Sequence, residues 1–296
     1  MPSLIPHPSS PVIVITGPTA SGKSALALEL AERYQGEIIC ADSRTVYRGM
    51  DIGTAKPSRE DQARVPHHLL DVVDPDERFT AADFQVRSRR AIDEIRSRGH
   101  LPFVVGGTGL YIDGLVRGYK FGPPADDTLR QQVEDFDVEQ LQTMLKKQHI
   151  SLPHNHDNKR HLIRALEQQG VNRNRDENSC DNYIVVAIAT DKQELERRIR
   201  ERAEEMFAGG IVAEATRLAR MYGWDHEALT GNIYPIIRRV VEGDLSIDAA
   251  KELFIIKDRQ LVKKQLTWLR RRDYVQWLSL TDAKDYLADV LSYRAD

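Results

Sequence analysis

Eight residues near the amino terminus have the spacing of a loop that binds phosphate groups. Gly17 and Gly22 enclose four residues, and Lys23 and Ser24 follow at once, which fits the pattern G-x-x-x-x-G-K-[ST]. In such a loop the backbone N–H groups surround an anion, the lysine adds a positive charge and the serine hydroxyl binds Mg²⁺. The pattern predicts a diphosphate or triphosphate ligand without distinguishing ATP from other diphosphates. The predicted binding residues are Gly17, Pro18, Thr19, Ala20, Ser21, Gly22, Lys23 and Ser24.

Two further residues stand where parallel sheets bind their ligands. Asp42 follows the run Glu37–Ala41, and Thr108 follows Gly106 and Gly107 at the end of another apolar run. Ligands bind outside the carboxyl ends of parallel strands, so Asp42 suits a general base or a metal ligand, and Thr108 suits an active-site turn. Either residue can instead serve as the N-cap of a helix.

Short apolar runs alternate with helical patterns around these residues. The alanine- and leucine-rich stretch Ser24–Tyr34 follows the loop, and Thr80 has the position of an N-cap for a helix that extends to Arg98. This alternation predicts an α/β fold with a P-loop-type parallel sheet and helices on both of its faces. The predicted strands are Val12–Ile15, Glu37–Ala41, Leu69–Val73, Leu101–Val105 and Tyr183–Ala189.

The segment 120–182 differs from its surroundings because it contains no strand-like run. Its polar part, Val171–Asp181, is interpreted as a loop. We predict a mostly helical insertion at 120–182, within a catalytic core formed by 1–119 and 183–296 that has a helical C-terminal part. In that part, helices are predicted at Lys192–Phe207 and from Ser246 to Arg272. The helices predicted in the insertion are Asp126–Phe136, Val138–Lys147 and Asn158–Gln169.

The composition excludes several classes of protein. With 42 basic and 45 acidic residues the formal net charge is −3, which excludes a protein that coats nucleic acid over its whole surface but allows a local basic patch. Two cysteines, Cys40 and Cys180, cannot form a disulfide framework and provide no Cys-x-x-Cys zinc site. The stretch Met1–Pro11 carries no Lys or Arg, and no apolar run is long enough to span a bilayer. We therefore expect a cytoplasmic protein without a membrane partner.

The phosphate-loop pattern together with Asp42–Pro57 closely resembles the tRNA dimethylallyltransferase family. These enzymes add an isoprenoid chain to the adenosine just 3′ of the anticodon. The C-terminal zinc finger of eukaryotic members is absent, so the resemblance is to the bacterial type. Similar motifs continue in the family's order at Pro66–Asp71, Asp74–Pro75, Phe79–Phe84, Gly106–Tyr111, Arg160–Glu167 and Arg259–Arg270.

The resemblance implies transfer of a dimethylallyl group from dimethylallyl diphosphate to the exocyclic amine of that adenosine. The phosphate loop would hold the diphosphate with Mg²⁺ bound at Ser24. Asp42 would take a proton from the amine, Thr108 would lie at the reacting centre and Arg202 would hold the departing diphosphate. Positive groups around a leaving diphosphate stabilise the charge that develops in the transition state. Arg202 can also be a solvated residue on a charged helix face.

The resemblance also implies tRNA contacts, with the insertion binding the anticodon stem-loop. We expect the protein to be a monomer. Arg164 can instead pair with Glu167 on its own helix. The stretch Lys257–Arg272 holds seven basic residues and Trp268, which suits either a phosphate-tracking face or a solvated helix with its tryptophan in the core. The implied tRNA-binding residues are Asp42, Ser43, Arg44, Thr45, Thr108, Arg130, Arg160, His161, Leu162, Ile163 and Arg164.

The sequence departs from the family at three residue positions, and its insertion is shorter than in many relatives. Ile233 precedes Tyr234 where the family usually has glycine, His161 replaces an arginine beside Arg160, and Thr45 replaces a glutamine. These departures affect tRNA recognition rather than the donor site.

Other functions remain compatible with the phosphate-loop pattern. They are a small-molecule P-loop kinase, a prenyltransferase of free AMP or ADP, and a nucleotide switch that binds RNA without chemistry. The basic stretch favours tRNA over a free nucleotide, and the block Asp42–Pro57 favours transfer over a kinase or a switch. His67 and His68 are adjacent in sequence, and this spacing favours a structural role for them over metal binding.

Overall fold

The computed structural model describes residues 10–123, 125–169, 183–231 and 233–292. Within these residues the chain forms two compact units. The first unit contains 10–116 and 183–292, and the second contains 117–169. The predicted loop Val171–Asp181 lies outside the described residues. No helix in the described part of the chain is both long and apolar enough to cross a membrane.

The first unit is built on a parallel sheet, and the predicted α/β P-loop-type fold is confirmed. Its described strands lie in the spatial order β3-β2-β4-β1-β5-β6, and every pair of neighbours is parallel. The central strands are buried along their whole length, as expected for a sheet covered on both faces. The strands are β1 Val12–Thr16, β2 Gly36–Cys40, β3 His67–His68, β4 Leu101–Gly106, β5 Tyr183–Ile188 and β6 Gln276–Leu278.

Helices connect the strands and extend the unit after β5. A 3-10 turn at Glu227–Thr230 precedes α10, and α5 to α7 belong to the second unit. The described helices are α1 Lys23–Arg33, α2 Arg59–Arg64, α3 Ala81–Ser97, α4 Gly109–Val116, α5 Asp127–Gln132, α6 Val138–Lys147, α7 Lys159–Gln168, α8 Lys192–Ala208, α9 Ile211–Tyr222, α10 Tyr234–Val241, α11 Ile247–Leu269 and α12 Leu280–Ser292.

Alternation along β1 divides the core of the first unit between the two faces of the sheet. Ile13 and Ile15 pack in one cluster with α1 and α12. Val12 and Val14 pack in another with α3 and α4. A third cluster joins α8, α9, α10 and α11. Successive side chains of a strand point to opposite faces, so one strand organises both layers and fixes where its carboxyl end lies.

The predicted strand Leu69–Val73 is wrong. The third strand is instead the two-residue β3, which pairs with β2. Leu69 and Asp71 have φ angles of 63° and 53°, a left-handed conformation that interrupts an extended chain. Only Val73 makes an isolated bridge, to Tyr47. The strand β6 was not predicted, because a strand of three residues is too short to show an alternation of apolar and polar residues.

The second unit is a small helical bundle. Its core consists of Val133, Leu141, Leu145, Leu162 and Leu166. The predicted helices are present, but α5 ends at Gln132 rather than Phe136. Asp137 caps α6 by accepting from the N–H of Gln140 at 2.8 Å, so the chain must leave the helical conformation before that cap.

Candidate active site at the carboxyl ends of the strands

The predicted phosphate loop forms one turn between β1 and α1. Gly17 and Gly22 have φ angles of 146° and 89°, which side chains other than glycine rarely adopt. The Lys23 ammonium folds back over the turn and donates to the carbonyl of Pro18 at 3.1 Å. Ser24 lies exposed at the start of α1. The loop and the N-terminal end of α1 therefore have the geometry of an anion-binding cradle.

Three charged side chains and burial act on the Lys23 ammonium. The pKa of Lys23 is lowered to about 8, because burial and the positive charge of Arg202 outweigh the opposing effect of the carboxylates of Asp42 and Asp258. The ammonium is therefore less stable here than in water, although it is still largely protonated at neutral pH. An anion bound in the loop would stabilise the charged form.

Helix α8 directs two guanidinium groups at the loop. The Arg202 Nη1 contacts the hydroxyl of Thr19 and the carboxylate of Asp258, the latter at 3.4 Å. One turn earlier, Arg198 donates to the carbonyl of Ala20 at 3.4 Å. Arg202 Nε is buried without a hydrogen-bond partner, and so is the hydroxyl of Ser21. Buried polar groups normally have partners, so these donors are suited to an anionic ligand.

Asp42 and Thr108 come together where β2 and β4 end. The Thr108 hydroxyl accepts from the N–H of Ser43 at 3.1 Å, and an Asp42 carboxylate oxygen accepts from the N–H of Arg44 at 2.8 Å. The turns pack so closely that a Cβ on Gly106 would lie 2.1 Å from the Ala41 carbonyl. Both side chains are half-buried at the edge of the sheet that carries the phosphate loop.

Helix α11, which is distant in sequence, binds both the phosphate loop and the turn that carries Thr108. The Gln265 Oε1 accepts from the N–H of Thr19 at 2.8 Å, and its Nε2 donates to the carbonyl of Gly107 at 3.3 Å. Two turns earlier on α11, Asp258 is 2% exposed and pairs with Arg202. Neither residue was predicted from the sequence, although Asp258 stands out as the single acid within the basic stretch.

A buried carboxylate holds the loop that follows Asp42. Glu214 accepts from the backbone N–H groups of 51, 52 and 53 at 2.8 to 2.9 Å, and from the hydroxyl of Tyr234 at 2.9 Å. Burial and the charge of Glu214 both raise the pKa of the Tyr234 hydroxyl, which keeps it a donor. Ile233, which stands where the family usually has glycine, lies in the core beside Tyr234 and has a packing role.

The residues after Asp42 that were expected to contact tRNA are only partly accessible. Ser43 and Arg44 are half-buried, and Arg44 donates to the carbonyl of Glu227 at 2.7 Å. Thr45 is buried, and its hydroxyl has no hydrogen-bond partner.

The expected tRNA-binding residues of the second unit divide into three groups. Arg130 and Arg164 both bind Glu167, at 2.6 and 2.9 Å, and Glu167 is fully buried. Burial raises the pKa of Glu167, but hydrogen bonds from the two arginines outweigh it and leave the pKa below its usual value. Arg160 and His161 are exposed, whereas Leu162 lies in the core and Ile163 packs against it.

The basic stretch at the end of α11 is similarly divided. Arg259 binds Glu196 at 2.8 Å, and Arg272 binds Asp113 at 2.6 Å. Lys263 and Lys264 are exposed. Trp268 is 36% exposed, so the interpretation that places it in the core is wrong.

His67 and His68 form the edge strand β3. His68 Nε2 is 2.6 Å from the buried Glu37, which also binds Arg98 at 2.8 Å and His100 at 2.7 Å. This network lies at the amino ends of the strands, away from the phosphate loop. Within the described residues, no group of three or more His, Cys, Asp or Glu side chains is arranged to hold a metal ion.

Known proteins match both the sequence and the fold. The family described as IPP transferase matches residues 45–272. A tRNA dimethylallyltransferase of Geobacter sulfurreducens is 40% identical, with 94% of this chain and 95% of that protein covered. The full-length tRNA isopentenylpyrophosphate transferase of Bacillus halodurans has a crystal structure that matches with a TM-score of 0.73 at 32% identity, over 97% of this chain and 98% of that one.

A more distant structure supports the fold alone. It is a eukaryotic dimethylallyltransferase acting on tRNA, and it matches with a TM-score of 0.78 at 21% identity, over 94% of this chain and 75% of that one. The sequence and structural matches extend over nearly the whole length of the chain and agree with the motifs from which the resemblance was drawn. The chain therefore belongs to the IPP transferase family of tRNA dimethylallyltransferases.

Proposed function

We propose that this protein transfers a dimethylallyl group from dimethylallyl diphosphate to the exocyclic amine of the adenosine just 3′ of the anticodon in tRNA, and releases diphosphate. One observation carries the proposal. The anion cradle of the phosphate loop, the unpartnered Nε of Arg202 and the pair Asp42 and Thr108 lie at one edge of the sheet. A kinase would need the same cradle and a carboxylate base for its own acceptor, so the choice of prenyl transfer over phosphoryl transfer rests on the family to which the chain belongs.

The reaction needs one bond to form and one to break. The amine nitrogen attacks the first carbon of the dimethylallyl group, and the bond from that carbon to the diphosphate oxygen breaks. The oxygen keeps the electron pair, and the amine proton passes to the carboxylate of Asp42. Since the Thr108 hydroxyl oxygen accepts from Ser43, its own proton is directed elsewhere and can be donated to the substrate.

Charge develops on the departing diphosphate, and the protein opposes it with fixed positive groups. Lys23, Arg202 and the N–H groups at the start of α1 surround the position where that charge appears. Such groups accelerate a reaction when they bind the transition state more tightly than the substrate. Mg²⁺ would add a further positive charge, with the exposed Ser24 hydroxyl as its protein ligand and diphosphate and water oxygens as the others.

A cavity of about 600 Å³ beside Arg202 supports a donor with both an anionic and an apolar part. Its wall combines the guanidinium of Arg202 and the apolar side chains of Ile52, Ala55 and Met206 with charged side chains of both signs, which are Asp51, Lys56, Arg59, Asp71 and Glu205. A triphosphate nucleotide would offer no comparable aliphatic chain.

The acceptor must leave its base stack before it can react, because a stacked adenine cannot reach a carbon held in a half-buried site. We propose that the second unit binds the anticodon stem-loop, since Arg160 and His161 are exposed on its helix α7. These two residues have no hydrogen-bonded side chains in the described structure, so they are available for phosphate contacts.

Incubation with radiolabelled dimethylallyl diphosphate tests this proposal. Bulk tRNA, AMP and ADP are offered separately, and nuclease digestion with mass spectrometry locates the label. We expect label on tRNA alone, at the adenosine 3′ of the anticodon, together with one released diphosphate per transfer. Label on AMP or ADP would indicate a free-nucleotide enzyme, and ATP consumption without transfer would indicate a kinase or a switch.

A further inference from the structure

Four hydrogen-bond donors share the two carboxylate oxygens of Glu214, which is 8% exposed on helix α9. Its Oε2 accepts from the N–H groups of Asp51 and Ile52 at 2.9 and 2.8 Å. Its Oε1 accepts from the N–H of Gly53 and the hydroxyl of Tyr234, both at 2.9 Å. Because each oxygen serves two donors, an amide in place of the carboxylate would turn one acceptor into a donor and leave two of the four donors without an acceptor.

The loop segment 49–53 that receives these bonds is also closely packed. A Cβ at Gly53 would lie 2.6 Å from the ring carbon Cζ of Tyr234 and 2.9 Å from the side chain of Ile211. On the same helix, Arg217 donates to the carbonyl of Gly49 at 2.8 Å. Hydrogen bonds and packing together fix the backbone of the segment relative to α9.

This segment borders the cavity of about 600 Å³ beside Arg202, since Asp51 and Ile52 are among the residues that line it. Helix α8 lines the cavity through Arg202 and Met206, and Gly209 lines it just after the end of α8. A Cβ at Gly209 would lie 3.9 Å from Cγ2 of Ile52. The distance between the segment and α8 therefore determines how much space the cavity offers.

Helix α9 connects the segment to α8. It follows α8 after Gly209 and Gly210, and Glu214 lies in its first turn. The carboxylate thus holds the segment against the helix pair that carries Arg202. Glu214 does not line the cavity itself, so its effect on a ligand there must pass through the segment.

We infer that Glu214 is a positioning residue that sets the length of prenyl chain the cavity admits, by fixing Ile52 at the boundary of the cavity. The inference rests on the proposed function and concerns its donor, a dimethylallyl diphosphate as against one with a further isoprene unit. Discrimination against a longer ligand depends on a steric clash, and a clash is costly only where the wall cannot move aside. The four hydrogen bonds to Glu214 keep this wall in place.

Transfer to tRNA from dimethylallyl diphosphate and from geranyl diphosphate, which has one more isoprene unit, tests the inference. In Glu214→Gln, we expect the KM for dimethylallyl diphosphate to rise by about tenfold with kcat nearly unchanged, on the order of the effect of one unsatisfied donor. The ratio of kcat/KM between the two donors should fall by about tenfold or more, as for the discrimination of one methylene in an apolar pocket. Affinity for inorganic diphosphate, which has no chain, should stay close to that of the wild type.

Three further variants separate positioning from a general loss of stability. Gly53→Ala displaces the segment from Tyr234 without altering the carboxylate, so it should also lower the donor ratio. Tyr234→Phe removes one donor and leaves both oxygens to bind the segment, so it should keep most of the selectivity. Glu37→Gln is the matched control, because Glu37 is 2% exposed and hydrogen-bonded at the amino ends of the strands, and it should change neither KM nor the ratio.

A double variant tests whether Glu214 acts through Ile52. Ile52→Ala should widen the cavity directly and lower the donor ratio by itself. If both residues act at one boundary, Glu214→Gln combined with Ile52→Ala should lower the ratio little more than either change alone. Independent falls that multiply in the double variant would show that Glu214 acts elsewhere.

Two other results would overturn the inference while leaving the proposed function in place. In the first, the wild type transfers both prenyl groups to tRNA equally well. In the second, it prefers dimethylallyl diphosphate, and Gly53→Ala or a folded Glu214→Gln keeps that preference. If the wild type transfers neither group, the proposed function fails and the inference fails with it.

Discussion

Arginines lie both at the candidate active site, at the carboxyl ends of the strands, and on helix α7, but their roles differ. At the edge, Arg202 contacts Thr19 and Asp258, which come from opposite ends of the sequence, and its Nε has no partner. On α7, Arg164 pairs with Glu167 three residues away, and Arg160 projects into solvent. The first arrangement fixes charge in place before a ligand arrives. The second leaves one cation exposed for contact and uses the other to hold the fold.

The two kinds of arginine should therefore contribute to different quantities, one to the reaction rate and the other to RNA affinity. Preorganised charges lower an activation barrier because they need not rearrange during the reaction. Exposed cations release counterions when they contact phosphates and add affinity that depends on salt. Changes at the edge of the sheet should therefore act on rate, and changes on α7 should act on RNA binding.

The largest effect is expected from Asp42→Asn. The variant keeps the size of the side chain but removes the carboxylate that accepts the amine proton. Single-turnover transfer should fall by about 10²- to 10⁴-fold, while donor and RNA affinity stay close to those of the wild type. Rapid-quench measurement of labelled tRNA checks this. Asp76→Asn, at an exposed aspartate, is the control, and a near-normal rate in Asp42→Asn would remove Asp42 from the mechanism.

A smaller effect is expected from Gln265→Ala, which tests how the edge is held together. The change leaves the buried N–H of Thr19 without its acceptor, which costs about 1–3 kcal/mol of unfolding free energy. Urea unfolding measures the loss. Gln260→Ala, at an exposed glutamine of the same helix, should stay within about 0.5 kcal/mol of the wild type. Equal stability of the two variants would show that the contact to Thr19 is not needed.

The charge on Lys23 should make diphosphate binding depend on pH. Because its pKa in the folded protein is about 8, the ammonium is charged below that pH and neutral above it. Relative to Lys23→Arg, which stays charged, wild-type affinity for inorganic diphosphate should fall by up to about tenfold per pH unit above 8. Calorimetric titration from pH 7 to 9 checks the ratio, and a constant ratio contradicts the expectation.

The lowered pKa of Lys23 affects folding stability in the opposite direction to diphosphate affinity as the pH rises. Between pH 8 and the ordinary lysine value of 10.5, the unfolded chain binds more protons at this position than the folded one does. The contribution of Lys23 to folding stability should therefore increase with pH over that interval.

The smallest effect is expected on α7, where two neighbouring arginines should behave differently. Arg160→Ala should reduce the salt slope of RNA affinity by about one, since Arg160 is exposed and its side chain is unpaired among the described residues. Arg164→Ala should leave the slope unchanged and lower the melting temperature, because its partner Glu167 is buried. Titration at several salt concentrations separates them. Equal slope changes would show that both arginines contact phosphate.

Local spacing was enough to predict the parts of the site that lie close together in sequence. The phosphate loop was found because its eight residues are contiguous, and the strands were found because their apolar runs are continuous. The bond from Gln265 to Thr19 spans 246 positions, and no local pattern records it. The strand predicted at Leu69–Val73 failed because apolar composition does not reveal a left-handed φ at Leu69. Exposure of Trp268 was equally hidden, since the same helical spacing suits a core or a surface residue.

The central claim is that the phosphate loop holds a prenyl diphosphate, and donor binding to Lys23→Ala tests it most directly. Equilibrium binding of labelled dimethylallyl diphosphate is compared between the wild type and this variant, with unlabelled diphosphate and ATP as competitors. We expect saturable binding to the wild type, displacement by diphosphate, and loss of both donor binding and transfer in Lys23→Ala. Normal donor binding and transfer in the variant, with ATP binding alone lost, would show that the loop is a nucleotide site and that the donor binds elsewhere.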